Sequence, residues 1–381
     1  MKILYYLPSL YPAGGLERII IFKANYFADN FPDYEVIVLT SEQRNKPTFF
    51  PLSDKVKHID LDVCIDYPFD QPLVLKLLRF PFLYYKFKKR FIQTLHDEKP
   101  DIVISTVRRE INFLAELDDG SAKLAELHVT KEFYHPNFSI GISNWLQQWK
   151  DRLRTSKLKK MDGVVFLTQQ EKMLWPELHN LRVIPNPVVL EPRLSSSCEA
   201  KQVIAVGRYV PQKGFDLLIE AWAIVNARHK DWILKIFGEG EGLNLKEQID
   251  SLSLTSCCIL EPTTIAIEEK YCESSIFVLS SRYEGFGMVL VEAMTCGVPG
   301  VAFNCPSGPS EIIEEGVDGF LVENGNVAQL ADRICQLIEN DTMRKEMGAN
   351  AKINSERFNM RNIAILWKDL FDSCTGKANK V

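Results

Sequence analysis

Short apolar runs of strand length recur along the chain, at residues 2–7, 35–39, 101–105, 123–127 and 163–167, then at 202–206, 232–237, 257–261 and 276–279. Between them lie longer stretches whose apolar residues fall at helical spacing, such as Ile19, Ile20, Phe22 and Phe27 within 16–30. Strand and helix patterns that alternate in this way predict an α/β protein built on parallel sheets, because each parallel pairing needs a crossover that a helix supplies. Three amphipathic stretches close the chain, at 327–340, at 342–354 and a last one ending near Cys374.

The pattern is interrupted once on a large scale. The segment Arg182-Val183-Ile184-Pro185-Asn186-Pro187-Val188 ends a strand in a proline-punctuated turn, and residues 190–201 are polar and serine-rich. At 381 residues the chain exceeds what one core usually organises, so two domains are expected, 1–191 and 192–359, each of about 150 to 200 residues. A net charge of −5 and a pI near 5.8 argue against a nucleic-acid partner, which would require a basic domain-scale surface. Nine scattered cysteines without a CxxC pair fit a reducing compartment. With neither a signal-peptide core nor an apolar run of spanning length, a cytoplasmic protein is expected.

The densest candidate chemistry lies in Ser280-Ser281-Arg282-Tyr283-Glu284-Gly285-Phe286-Gly287-Met288-Val289, a turn after the strand-like 276–279 and before a helix that carries Glu292. Backbone N–H groups of Phe286, Gly287, Met288 and Val289 at a helix start lack intrahelical acceptors and form an anion site. Carboxylates beside such a site repel a phosphate unless they accept hydrogen bonds from sugar hydroxyls, so the pair Glu284 and Glu292 suggests a nucleotide sugar. Arg208 and Lys213 share one loop after the strand-like 202–206 and are placed to converge on a single anion. The glycine run Gly238-Glu239-Gly240-Glu241-Gly242 is a weak nucleotide signal, and 257–261 leaves the base open. Asp60-Leu61-Asp62 has a metal-binding look but no carboxylate cluster near it, and Ser307 is placed to cap a helix that starts around Pro309.

Taken together these strings resemble retaining glycosyltransferases of family GT4. The seven residues between Glu284 and Glu292, followed by Cys296-Gly297-Val298-Pro299, match the EX7E signature, and Gly207-Arg208 through Lys213-Gly214-Phe215-Asp216 matches a second family motif. Gly14-Gly15-Leu16-Glu17-Arg18 is similar to the family's GGxER segment, and Ile184-Pro185-Asn186-Pro187-Val188 to its hinge. The resemblance implies a GT-B architecture, two Rossmann-like domains facing a central cleft, with a C-terminal helix at 360–381 crossing back to the first domain. It assigns Gly15 to close approach of the donor, His128 and Glu284 to the transferring sugar, Glu292 to the ribose, and Arg208 and Lys213 to the diphosphate. It implies transfer of a hexose or N-acetylhexosamine, with retention and without metal or cofactor, from a nucleotide sugar, expected to be UDP-linked. The acceptor would be a glycan or polyprenyl-diphosphate-linked glycan in cell-surface polysaccharide assembly. A GT-B epimerase, a phosphorylase and a non-catalytic nucleotide-sugar-binding scaffold share the fold and stay open as alternatives.

Residues 71–96 carry Lys76, Arg79, Lys86, Lys88, Lys89 and Arg90 and no acid. Pro81 is expected to split this segment, and beyond it Leu83, Phe87, Phe91 and Leu95 share one helical face while Lys86, Lys89 and Arg90 share another. Two readings fit: a core helix with a solvated rim, or an amphipathic helix that brings the protein to the inner face of the cytoplasmic membrane, with Lys86, Lys88, Lys89 and Arg90 as its charged centre.

Overall fold

The computed structural model describes residues 1–65, 73–131, 142–240 and 242–376, without the side chains of 73–77 and 142–148. Gln71, Pro72, the side chain of Lys76, Glu241 and residues 377–381 therefore lie outside the described residues. The chain forms two compact units. One comprises Met1–Leu167, Glu171–Pro187 and Ile363–Val381, the other Thr168–Gln170 and Val188–Asn362.

In the first unit, β1 (Lys2–Tyr6), β2 (Glu35–Thr40), β3 (Val56–Asp60), β4 (Ile102–Ser105), β5 (Ala122–Leu127), β6 (Gly163–Phe166) and β7 (Leu181–Val183) pair in parallel in the order β3-β2-β1-β4-β5-β6-β7. Ile3, Leu4, Tyr5, Val36, Ile37, Val38 and Ile102 to Ile104 are all fully buried. Strands covered by helices on both faces need apolar residues at every position, which is why they read as runs. The C-terminal helix Met360–Cys374 sets Trp367 and Phe371 into this unit, with the Phe371 ring 5.6 Å from Phe27.

The second unit repeats the plan with β8 (Gln202–Val206), β9 (Ile233–Phe237), β10 (Cys258–Glu261), β11 (Ile276–Leu279), β12 (Gly300–Phe303) and β13 (Gly319–Val322), parallel in the order β10-β9-β8-β11-β12-β13. Each sheet reverses its winding once, between β1 and β4 in the first and between β8 and β11 in the second. Loops leaving two adjacent strands in opposite directions open a crevice at their carboxyl ends, where open α/β sheets bind ligands.

Two sequence expectations need correction. Pro81 does not split its segment: Leu73–Glu98 is one continuous helix of 26 residues. The proline is exposed, so the carbonyl deprived of its donor can turn to water, while Phe87 and Phe91 anchor the following turns on Tyr6 at ring distances of 5.8 and 5.1 Å. The face formed by Phe87, Phe91 and Leu95 is core, and Leu83 packs against it. The exposed apolar side chains are a different set, Leu78, Phe80, Phe82 and Tyr85. Of the cations, Lys86 donates to the carbonyl of Asp62 at 3.3 Å, Arg90 to those of Leu61 and Asp62, and Lys88 lies over the Phe113 ring. The helix Pro309–Ile312 is preceded by Gly308 and has no side-chain cap, so Ser307 does not fill that role.

Candidate active site

The second unit's crevice is built by two stapled loops. After β8 the chain turns through Gly207 and Arg208 into the short 3-10 turn Pro211–Lys213, and Gly214, at φ +62°, starts the helix Phe215–Arg228. A Cβ on Gly214 would stand 2.0 Å from the carbonyl oxygen of Ser280, so only glycine lets this loop lie on the turn after β11. Hydrogen bonds fasten the two. Ser280 Oγ donates to the Lys213 carbonyl at 2.9 Å, Gln212 Nε2 to the Tyr283 carbonyl at 3.0 Å, and Arg282 grips the Asp216 carboxylate through both terminal nitrogens at 2.9 and 2.6 Å. The Arg282 hydrogen bonds hold the Asp216 carboxyl below its ordinary range, against a smaller opposing effect of burial.

This clamp brings Lys213 Nζ to 2.7 Å from Glu284 Oε1, which also accepts from Ser281 Oγ at 2.6 Å. Both side chains keep some access to solvent, 15% for Lys213 and 8% for Glu284. Arg208 is exposed, and its guanidinium makes no side-chain hydrogen bond or ion pair among the described residues. Gly287, at φ +104°, precedes the helix Met288–Thr295, and the first amide of this turn to find an acceptor is that of Leu290, on the Gly287 carbonyl at 2.9 Å. Among the described residues the amides of Phe286 to Val289 find no acceptor, which leaves them for a ligand or water. The Phe286 side chain is core, 5.5 Å from the Phe358 ring, so its backbone is what the site receives. Glu292 is nearly buried and accepts from the Tyr271 hydroxyl at 3.2 Å. Gly238, Gly240 and Gly242 have packing reasons of their own: added Cβ atoms would meet backbone atoms of Gly207 or Tyr209 at 1.9, 3.2 and 2.9 Å.

In the first unit His128 follows β5 and sits 3.2 Å from Glu126 Oε1, without the alignment of a hydrogen bond. Glu126 is ion-paired to Lys23, both side chains being essentially inaccessible, and the Lys23 ammonium lies 4.4 Å from the Trp367 ring. Burial pushes the Glu126 carboxyl up, but Lys23 and His128 outweigh it and hold it at about 2. Gly15 opens the helix Gly15–Asn30, and a Cβ there would meet nothing within 4 Å, so packing does not require that glycine. Asp60 Oδ1 accepts from Thr40 Oγ1 at 2.8 Å.

Sequence reasoning named Arg208, Lys213, Glu284 and Glu292 but missed the direct Lys213–Glu284 contact, the Arg282–Asp216 fork and the Lys23–Glu126 pair. A lysine inside the apolar pattern of 19–27 and a glutamate inside an apolar strand were the available signals, since buried charges occur in partnership.

Residues 192–354 match the family profile described as glycosyl transferases group 1. An uncharacterized glycosyltransferase of Haemophilus influenzae is 30% identical over 374 residues, 97% of this chain and 99% of the relative. A poly(ribitol-phosphate) α-N-acetylglucosaminyltransferase of Staphylococcus aureus is 32% identical over 219 residues, 56% of this chain but 44% of that longer protein. The fold is shared with an S. aureus TarM mutant crystallised with Fondaparinux, α-GlcNAc-glycerol and UDP, at TM-score 0.75 and 18% identity over 97% of this chain and 99% of that one. The chain belongs to the glycosyl transferases group 1 family and has the two-domain GT-B fold; it is a glycosyltransferase.

Proposed function

We propose that this protein transfers a hexose or N-acetylhexosamine from a UDP-sugar to a glycan or lipid-linked glycan acceptor of cell-surface polysaccharide, with retention of anomeric configuration. The observation that carries the reading is the Lys213–Glu284 contact at 2.7 Å beside the unpaired Arg208 and the open amides of Phe286 to Val289. An ammonium held by a carboxylate in a partly open crevice can exchange that partner for a phosphate, while the carboxylate turns to sugar hydroxyls. Departure of the diphosphate is the step that needs help. Arg208, Lys213 and the helix start stabilise the charge growing on it, the work a divalent cation performs in other transferases. An acceptor hydroxyl then attacks the oxocarbenium-like sugar on the face the diphosphate left, its proton passing to an oxygen of the departing diphosphate. Glu292 is assigned to the ribose, His128 to the transferring sugar, and Gly15 to donor approach. UDP in the TarM crystal and the polymer acceptor named for the S. aureus relative support the nucleotide and the acceptor class.

The test is a thermal-shift screen against UDP, GDP, ADP and their sugars, followed by donor consumption with and without acceptor. A ligand at 100 times its Kd adds about 2.7 kcal/mol, so UDP compounds should stand out. Consumption that does not require the added acceptor would favour an epimerase or phosphorylase, and binding without consumption a scaffold.

Contact with an anionic membrane face through 71–96 is kept in this reading on a changed footing. Leu78, Phe82 and Tyr85 are 72%, 70% and 65% exposed on the helix that carries Arg79 and Lys89. Among the described residues no helix is long and apolar enough to cross a membrane. Sedimentation with anionic vesicles should fall for Phe82→Ser/Lys89→Gln; equal pelleting of variant and wild type would remove this contact.

A further inference from the structure

The first unit has a crevice of its own where its sheet reverses. A cavity of about 660 Å³ opens beyond the carboxyl ends of β1 and β4, lined among others by Tyr6, Glu42, Arg108, Arg109, Lys150 and Arg154. Among the described lining residues four cations face one carboxylate, in a chain whose net charge is −5. Arg108 and Lys150 are exposed and make no side-chain hydrogen bond or ion pair among the described residues. Arg154 is steadied by Asp151 at 3.0 Å, and the Arg109 guanidinium lies 5.4 Å from the centre of the Phe80 ring.

The loop that presents the two arginines is held out of an ordinary conformation. Val107 has φ +57°, a left-handed backbone that a β-branched residue adopts only under constraint. The constraint is visible. The Val107 amide donates to Ser105 Oγ at 3.0 Å, Thr106 Oγ1 to the Tyr6 carbonyl at 3.1 Å, and the Arg108 amide to Glu110 Oε1 at 3.0 Å. Glu110 is fully buried beneath the loop and also accepts from Ser105 Oγ. Strain at this position is what sets consecutive arginines at the rim of the cavity.

We propose that this cavity is an acceptor subsite that binds a phosphate or diphosphate group, through Arg108 and Lys150 with Arg109 and Arg154 beside them. Guanidinium forks and an ammonium around one polar pocket suit phosphate oxygens, and the open ends of Arg108 and Lys150 are the ones free to take them. The assignment rests on the glycosyltransferase reading. The same chemistry could come from a lipid-linked diphosphate acceptor or from a polyol-phosphate polymer.

The experiment is calorimetric titration of inorganic pyrophosphate into wild type, Arg108→Gln/Lys150→Gln and Arg208→Ala/Lys213→Ala, each with UDP at saturation, and each checked by thermal melting. Pyrophosphate affinity should fall about tenfold or more in the Arg108/Lys150 variant and persist in the Arg208/Lys213 variant. Loss only in the latter, or unchanged affinity in the former, would overturn the subsite. Should the double variant melt early, Lys150→Gln alone must still weaken binding measurably. Failure of UDP to bind wild type would break the donor reading without touching this result. A prenyl diphosphate and a glycerol-phosphate oligomer then identify the source: whichever depends on Arg108 and Lys150 supports the subsite, and neither exceeding a neutral oligosaccharide refutes it.

Discussion

Each unit holds a lysine–glutamate pair at the carboxyl end of its parallel sheet, and the two pairs are built for opposite purposes. Lys23 and Glu126 are sealed, at 0% and 1% exposure, under the Trp367 ring. Lys213 and Glu284 keep 15% and 8% exposure and lie on the turns that carry the open amides and Arg208, an arginine unpaired among the described residues. A sealed pair cannot turn to solvent or to an incoming ligand, so removing one member strands a charge in the core. A partly open pair can trade partners, and that freedom is what a binding site needs. Similar residues at similar places in two similar sheets thus divide into a sealed pair beside His128 and a partly open pair that the proposed function assigns to a ligand.

Breaking the sealed pair should have the largest effect. Lys23→Met is expected to cost about 3–5 kcal/mol of stability, because Glu126 is left buried and uncompensated, whereas Lys23→Met/Glu126→Leu should recover most of the loss. Urea unfolding of the three proteins decides this, and a near-neutral Lys23→Met would erase the distinction between the pairs. In the second unit the pattern should invert. Arg208→Ala and Lys213→Ala should each lower turnover ~10²-fold or more with little change in melting temperature. A variant that melted several degrees lower yet turned over normally would make its cation structural instead.

The two glutamates of the second unit should separate by a smaller margin. Glu292→Gln is expected to weaken binding of both UDP and the nucleotide sugar about tenfold, while Glu284→Gln should leave UDP affinity within about twofold and mainly reduce turnover. Equal losses of UDP affinity would contradict the division of roles. The smallest effect concerns the fork that staples the loops. Because Arg282 lowers the Asp216 pKa below its ordinary 3.8, the stability this pair contributes is complete above that value and is lost as pH falls below it. Both groups are about one-third exposed, so Arg282→Gln should remove only ~1 kcal/mol or less at neutral pH and flatten the wild type's decline as pH falls below the ordinary Asp value of 3.8. An unchanged acid limb would show that the fork does not couple to folding.

The order of strands and helices was legible because strands buried on both faces leave unbroken apolar runs, as at Ile3 to Tyr6 and Ile276 to Leu279. Arg208 with Lys213, and Glu284 with Glu292, were legible as groups because each lies on one short loop or turn leading into a helix. The contact between those groups was not. Lys213 and Glu284 are 71 positions apart and meet because β8 and β11 are neighbours across the reversal of the sheet, a consequence of strand order. Lys23 and Glu126, 103 positions apart, form their ion pair because the helix Gly15–Asn30 packs against the sheet, a contact that no strand pairing announces. Pro81 misled because local backbone preference was overridden by aromatic packing two turns away, where Phe87 and Phe91 fix the helix on Tyr6.

The central claim is that Lys213 leaves Glu284 and joins the exposed Arg208 in holding a nucleotide diphosphate. Isothermal titration of UDP and of uridine into wild type, Arg208→Ala and Lys213→Ala tests it most directly. The account predicts that each substitution weakens UDP at least tenfold while uridine, which lacks the diphosphate, binds all three proteins alike; UDP affinity unchanged in both variants would contradict it.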